Sequence, residues 1–217
     1  GEFTAHAAAG TFDFETGLRL VAKRSQAMQE ACESTEGGMA AIIGGEENDI
    51  RQLASAADVD VANLNSPGQI VLSGEAAKIA LSVSLAKEYG ARKAVELQVA
   101  GAFHSRLMES AYEKLSDALA ETDIKHPTVP VVCNVDACTV SDADTIRRSL
   151  ADQVTGSVLW TQSIEYMIDH LHITQFIELG PGGVLAGLVG RIRKGTPVIS
   201  ISNAASLNDA VAALSAA

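Results

Sequence analysis

His104 is the residue of this sequence whose type and position best suit acid–base chemistry. It lies in the stretch Gly-Ala-Phe-His-Ser-Arg-Leu-Met at residues 101–108, after an apolar run and at the start of a predicted amphipathic helix. A histidine can take and return a proton near pH 7 when a nucleophile lies opposite it. A single histidine at a strand–helix junction is more often structural than catalytic, so its role depends on the rest of the chain.

The 217 residues contain no evident nucleophile for His104. They include no Gly-x-Ser-x-Gly motif, the sharp turn that exposes the serine of α/β-hydrolases. No other serine has comparable surroundings. The residues alone therefore predict an α/β domain with a candidate base and, at Arg24, a candidate anion site.

Arg24 is a candidate because of its place on a predicted helix. Asp13 is expected to cap a helix over residues 14–32, and at 100° per residue Arg24 falls on the apolar side. The residues that form this predicted core side are Phe14, Gly17, Leu18, Leu20, Val21, Met28, Ala31 and Cys32. An arginine there needs an anion, because an unpaired buried charge is costly. The anion is either a carboxylate of the protein or a ligand carboxylate held by two parallel hydrogen bonds.

The glycine-rich run at residues 180–183 resembles a phosphate loop but lacks its defining residues. Leu185 stands where a dinucleotide-binding motif needs its third glycine, and no Gly-Lys-Ser/Thr follows. The run therefore predicts a tight turn from a buried strand at 174–179 into a helix. Such a turn can border an active site, because ligands bind at the carboxyl ends of parallel strands.

Composition excludes several functional classes. The net charge of -11 argues against nucleic acid as a partner. No apolar run approaches the roughly 18–20 residues that span a bilayer, and no signal-peptide pattern begins the chain, so no membrane association is predicted. The three cysteines and five histidines follow no metal-ligand spacing. They predict reduced thiols in an intracellular compartment and no metal site.

The order of predicted elements indicates an α/β fold with an inserted unit. Residues 38–99 read as strand, helix, strand, strand, helix, strand, which is the ferredoxin-like split βαβ order. Elsewhere helices alternate with strands, including one at 129–140, which favours a mainly parallel sheet covered on both sides. Trp160 is expected as an anchor between helices at 142–154 and 163–170.

Seven short motifs run through the chain in order. They are Gly1-Glu2-Phe3-Thr4-Ala5, Met28-Gln29-Glu30-Ala31, Gly38-Met39-Ala40-Ala41-Ile42, Asn65-Ser66-Pro67-Gly68-Gln69, Gly101-Ala102-Phe103-His104-Ser105, Asn134-Val135-Asp136-Ala137 and Glu178-Leu179-Gly180-Pro181-Gly182. Together and at these spacings they closely resemble malonyl-CoA:acyl carrier protein transacylases. The resemblance implies an α/β-hydrolase-like large subdomain over residues 1–36 and 101–217, incomplete at its N-terminus. It also implies a ferredoxin-like small subdomain over 37–100.

The resemblance also implies where the nucleophile lies. In that family the elbow reads Gly-His-Ser-x-Gly followed by Glu and an aromatic residue, and Gly1 resembles its final glycine. The serine is then expected two residues before Gly1, in a protein of which this chain is an N-terminally truncated part. The predicted first helix agrees, since no capping residue precedes it. We expect the 217 residues alone to have no transacylase activity.

Three residues match the family's functional positions. By resemblance, His104 is the general base and Arg24 binds the malonyl carboxylate. Gln153 matches the glutamine whose backbone carbonyl orients the histidine, although Asp152 and residues 156–158 depart from the family pattern around it. Gly183 stands where the family commonly has lysine.

The resemblance implies transfer of malonyl from malonyl-CoA to the phosphopantetheine thiol of acyl carrier protein, for fatty acid synthesis, through an acyl-serine and without a cofactor. Carrier protein is expected to dock on Arg191, Arg193 and Lys194, with Arg92 and Lys93 as second choice. A cytoplasmic monomer is expected, with an organellar stroma or matrix as alternative location. Two other functions stay open: an acyltransferase domain of a polyketide or fatty acid synthase, and a non-catalytic module that binds acyl-CoA or carrier protein.

Overall fold

The computed structural model describes residues 1–215, and the chain divides into two units, Gly1–Ser163 and Ile164–Ala217. Helices and strands alternate along it, which confirms the predicted α/β class. The first unit holds α1 (Glu2–Ala8), α2 (Phe14–Ser34), β1 (Gly37–Ile43), α3 (Glu47–Ala57), β2 (Asp60–Ser66), β3 (Gln69–Glu75), α4 (Ala76–Leu85), β4 (Lys93–Glu96), a 3₁₀ turn (Arg106–Met108), α5 (Glu109–Ala120), β5 (Val131–Val132), β6 (Thr139–Val140) and α6 (Ala143–Asp152). Helix α7 (Trp160–Asp169) crosses the boundary, and β7 (Phe176–Leu179), α8 (Val184–Ile192), β8 (Val198–Ile201) and α9 (Ala204–Ser215) follow.

A four-stranded antiparallel sheet forms from β1 to β4 in the order β2-β3-β1-β4. Helices α3 and α4 connect its strands and bury Ile50, Leu53 and Ile79 against Ile42 and Leu72 of the sheet. The element order matches the prediction, although β4 is shorter than expected. The division of the chain at residues 37 and 100 stays a prediction.

A second apolar core of the first unit is helical. Helices α1, α2, α5 and α6 contribute to it, and its fully buried members include Met108, Leu115, Leu119, Ile146 and Leu150. The predicted cap of α2 is confirmed, since the Asp13 side chain accepts from the Thr16 amide at 2.8 Å. This core positions α2, and therefore Arg24, beside the segment that carries His104.

The predicted core side of α2 is wrong for its first turns. Phe14 is 79% exposed and Leu18 57% exposed, and Val21 is exposed too. The buried residues there are Gly17 and Leu20, because the ring of Phe12, which precedes the helix, lies where a Gly17 side chain would be. The helical-wheel prediction omitted Phe12, since it counted only residues inside the helix.

Four further predictions need correction. Among the described strands only β7 and β8 pair in parallel, so the sheet structure is not mainly parallel. Residues 129–140 form the two short antiparallel strands β5 and β6 rather than one strand, and Trp160 begins α7 instead of lying between helices. Strand β7 is not buried: Ile177 is 46% exposed and Leu179 78% exposed, because the face of the strand that carries both side chains is uncovered in the described residues.

The tight turn predicted at residues 180–183 is confirmed. Gly180 and Gly182 have φ of +133° and +100°, which side chains other than glycine's rarely adopt. The Glu178 carboxylate accepts from the amides of Leu185 and Ala186 at 2.9 and 3.3 Å. The amides that begin α8 are therefore bonded to the protein's own carboxylate, which argues further against a phosphate loop.

His6 predicts a pH-dependent stability. Its ring is fully buried beside Thr11, with Nδ1 3.1 Å from the Thr11 hydroxyl, and burial lowers its pKa from 6.5 to about 4. The unfolded chain then binds a proton near pH 6.5 that the folded chain does not, so stability present above pH 6.5 is lost as pH falls toward 4. The loss between pH 6.5 and about pH 5 should be about 1–2 kcal/mol.

Urea unfolding of His6→Leu across this pH range measures the effect. Between pH 6.5 and pH 5 the variant should lose about 1–2 kcal/mol less stability than wild type, because the substitution removes the His6 contribution and leaves the opposite contribution of Glu2 in place. The same substitution at the exposed His126 is the control and should show the wild-type dependence. Equal slopes for wild type and His6→Leu would contradict the prediction.

Candidate active site

His104 lies at the start of the helical segment that ends in α5. Its backbone has φ of +57°, in the left-handed region that a side chain makes unfavourable. The Ser105 hydroxyl stabilises this turn, since it donates to the Ala102 carbonyl at 2.6 Å and accepts from the Leu107 amide at 3.2 Å. The turn therefore fixes the direction of the histidine ring.

Two backbone carbonyls hold the imidazole. Nδ1 of His104 lies 2.7 Å from the Gln153 carbonyl oxygen and 3.2 Å from that of Gly156. Since a carbonyl only accepts hydrogen bonds, Nδ1 carries the proton and Nε2 of the neutral ring holds a free lone pair. Sequence comparison anticipated the Gln153 carbonyl, whereas nothing in the sequence indicated the one from Gly156.

The surroundings of His104 favour the neutral ring. Burial is the main cause that lowers its pKa, and the nearby positive charge of Arg24 lowers it further. The hydrogen bonds to Gln153 and Gly156 oppose this shift without cancelling it. At neutral pH the ring is therefore unprotonated at Nε2 and able to accept a proton.

Arg24 and His104 line one cavity of about 420 Å³, although 80 residues separate them in the sequence. The other residues that line it are Ser25, Met28, Gln29, Met39 and Phe103. The Arg24 Nε atom is buried and has no hydrogen-bond partner within residues 1–215. The structure thus brings a base and a guanidinium with an unused donor to the same space.

Glu2 is a buried carboxylate that the sequence reasoning did not single out. Its Oε2 accepts from the Asn134 amide at 3.0 Å, and its buried Oε1 has no partner in the described chain. Burial raises its pKa to about 7, despite the opposing Asn134 bond and Arg24 charge. The sequence feature that could have indicated it is a glutamate in an alanine-rich apolar helix.

The structure places the predicted docking residues at the end of α8 in the second unit. Arg193 donates two hydrogen bonds to the Asp169 carboxylate, at 2.8 and 3.0 Å. The Asp169 carboxylate therefore partly neutralises the positive charge of Arg193. The docking role of Arg191, Arg193 and Lys194 stays a prediction.

Residues 1–215 contain no group of three or more His, Cys, Asp or Glu side chains able to hold a metal ion. None of the helices described there is long and apolar enough to cross a membrane. The absence of a metal and a cofactor stays a prediction.

The sequence profile of the acyl transferase domain family matches residues 1–191. The chain belongs to this family. The acyl transferase is 40% identical over 219 residues to the malonyl CoA-acyl carrier protein transacylase of Bacillus subtilis, covering 99% of this chain and 69% of that protein. It is 41% identical to the polyketide biosynthesis malonyl CoA-acyl carrier protein transacylase of the same organism, covering 89% and 67%.

A solved structure also resembles the acyl transferase in fold. It is a malonyl-transacylase in complex with its type II PKS acyl-carrier protein, with a TM-score of 0.94, 35% identity, and coverage of 98% of this chain and 70% of that chain. The acyl transferase thus spans about two thirds of the length of each of these relatives.

Proposed function

We propose that this acyl transferase moves malonyl from malonyl-CoA to the phosphopantetheine thiol of acyl carrier protein, for fatty acid synthesis. The observation that carries the proposal is the cavity shared by His104 and Arg24, with a free imidazole nitrogen and an unpartnered guanidinium Nε. The names of its relatives support malonyl as the group and carrier protein as the acceptor. The protein works in the cytoplasm as a monomer without a cofactor.

His104 supplies the proton transfers of both half-reactions. In the first, Nε2 takes the proton of a serine hydroxyl as its oxygen attacks the malonyl thioester, and the proton then leaves on the coenzyme A thiol. In the second, Nε2 takes the proton of the carrier thiol as its sulfur attacks the malonyl-serine ester, and it returns the proton to the serine oxygen as the ester bond breaks. The carbonyls of Gln153 and Gly156 keep Nδ1 protonated throughout.

Arg24 selects the acyl group. Its guanidinium binds the free carboxylate of malonyl through charge-assisted hydrogen bonds inside the cavity. An acetyl group offers no carboxylate and would leave the buried cation without a partner, which is costly. The site therefore prefers a dicarboxylic thioester.

A chimera tests the proposal, because the 217 residues hold no Gly-x-Ser-x-Gly motif. The segment of the B. subtilis transacylase that ends one residue after its nucleophilic serine is joined to this chain, so that Gly1 becomes the last glycine of the elbow. With radiolabelled malonyl-CoA, we expect serine-linked label on the chimera and its transfer to holo carrier protein. The 217-residue chain alone should take no covalent label. A folded chimera that transfers no malonyl would refute the proposed function.

A carrier protein of polyketide synthesis is a second candidate acceptor. One relative at 41% identity is named for polyketide biosynthesis. The same chimera can be offered carrier proteins from fatty acid and polyketide synthesis. We expect the higher kcat/KM with the fatty acid carrier, and the reverse ratio would assign the protein to the polyketide route.

Carrier docking at α8 predicts a selective kinetic defect. Replacing Arg191, Arg193 and Lys194 together with alanine in the chimera should raise the KM for acidic carrier protein, because attraction between the surfaces is lost. The KM for malonyl-CoA should not change. The matched variant replaces Arg92 and Lys93, the second-choice surface. An unchanged KM for carrier protein in the triple variant would exclude this docking surface.

A further inference from the structure

Strand β2 (Asp60–Ser66) contacts the segment that carries the acceptor carbonyls of His104. The Val158 amide donates to the Ala62 carbonyl at 2.8 Å, and the Leu64 amide donates to the Val158 carbonyl at 2.9 Å. Val158 thereby forms a parallel bridge with Asn63. Since Gly156 lies two residues earlier, β2 fixes the position of the loop that receives the Nδ1 hydrogen bonds.

The first residue of the same strand holds the chain next to His104. The Asp60 carboxylate accepts from the backbone amide of Arg106 at 2.8 Å, and it also accepts from the Arg106 guanidinium, with Nη2 2.9 Å away. Asp60 is thus bonded to both the backbone and the side chain of a residue two positions after the histidine. One strand therefore contacts both the chain next to His104 and the loop that carries its acceptors.

The Arg106 side chain has a second carboxylate partner two residues before this strand, at the end of α3. Its Nη1 donates to Asp58 at 2.9 Å, and Lys78 donates to the same carboxylate at 2.8 Å. Such exposed ion pairs stabilise little by themselves. The bond from the Arg106 amide to Asp60 differs, because it fixes the backbone beside a residue whose φ is +57°. A left-handed backbone at a side-chain-bearing residue persists only where neighbouring contacts enforce it.

We propose that Asp60 is a positioning residue for His104, which it aligns with the carbonyls of Gln153 and Gly156 through the backbone of Arg106. The geometry stands by itself, whereas its importance for catalysis rests on the proposed function. Without the Asp60 carboxylate, residues 104–106 can relax from the left-handed turn. Nδ1 then moves away from the two carbonyls, and the tautomer protonated at Nδ1 is no longer favoured.

Imidazole NMR of the ¹⁵N-labelled 217-residue chain tests this without any catalytic turnover. His104→Gln identifies the His104 signals among the five histidines. In wild type we expect a single neutral tautomer, protonated at Nδ1. In Asp60→Ala we expect loss of that single tautomer and the appearance of the Nε2-protonated form. Asp60→Asn, which keeps one acceptor for the Arg106 amide, should show a smaller change in the same direction.

Glu47→Ala is the matched control. Glu47 pairs with Arg51 at 2.8 Å, and Arg51 lines the same groove as His104 and Arg106. Losing this pair should leave the His104 tautomer unchanged. A folded Asp60→Ala with lower stability but a wild-type His104 tautomer would overturn the proposal. If Asp60→Ala does not fold, an unchanged tautomer in Asp60→Asn overturns it.

Failure of this proposal and failure of the proposed function have different signatures. An active chimera together with an unchanged tautomer in the Asp60 variants would remove Asp60 from the site and leave the malonyl transfer intact. A changed tautomer together with an inactive chimera would keep the alignment role and refute the transfer.

Discussion

Replacing His104 with alanine in the chimera is expected to lower kcat for malonyl transfer by about 10²–10⁴-fold, the contribution of a positioned general base. The KM for malonyl-CoA should change little, because the His104 ring contacts the reacting atoms and does not bind the malonyl carboxylate. Steady-state kinetics with holo carrier protein measure both constants. In the parent chimera, kcat/KM should decline only at a pH below the usual histidine pKa, because burial and the nearby Arg24 charge lower the pKa of His104 and the base must be neutral.

His170→Ala is the control for this substitution, because His170 is an exposed histidine outside the cavity. It should retain the kcat of the parent chimera. A His104→Ala chimera with kcat within a few-fold of the parent would show that another group removes the serine proton. The cavity would then need a different base.

Replacing Arg24 with glutamine in the chimera should lower kcat/KM for malonyl-CoA by about 30–4,000-fold, equivalent to 2–5 kcal/mol for losing one partner of a buried charged hydrogen bond. The activity with acetyl-CoA should stay the same or rise, because the variant has no unpaired guanidinium beside the acetyl group. The ratio of the two kcat/KM values, measured under identical conditions, reports the selectivity that Arg24 provides.

Arg19→Gln is the matched control on the same helix. Arg19 is exposed and pairs with Glu15 at 2.9 Å, so its loss should not change the ratio. If Arg24→Gln lowers activity with malonyl-CoA and acetyl-CoA equally, Arg24 serves folding or general electrostatics. The carboxylate-binding role would then be wrong.

The sequence predicted those features that depend only on residues close together in the chain. Asp13 caps α2 because its side chain is followed by free amides, and residues 180–183 turn tightly because glycine tolerates positive φ. Helical periodicity alone was enough to single out Arg24 as a candidate anion site. His104 acquired a catalytic interpretation through the resemblance, since its own surroundings do not distinguish a base from a structural histidine.

Other features depended on contacts between distant segments. Phe12 packs against Gly17 from outside the helix, whereas Phe14 and Leu18, which helical periodicity placed in the core, are exposed. Glu2 meets Asn134 across 132 residues, and Asp60 meets Arg106 across 46. Periodicity within one element carries no information on such partners, so neither carboxylate was predicted to contribute to the site.

The close contact between Gly101 and α2 sets the spacing of two parts of the site. A side-chain carbon at position 101 would lie 2.4 Å from Cys32 Sγ, so the loop that carries His104 lies directly on the helix that carries Arg24. Under the proposed function, His104 acts at the thioester end of the acyl group and Arg24 binds its free carboxylate. A larger residue at position 101 would push this loop away from α2 and so change the spacing between the base and the guanidinium.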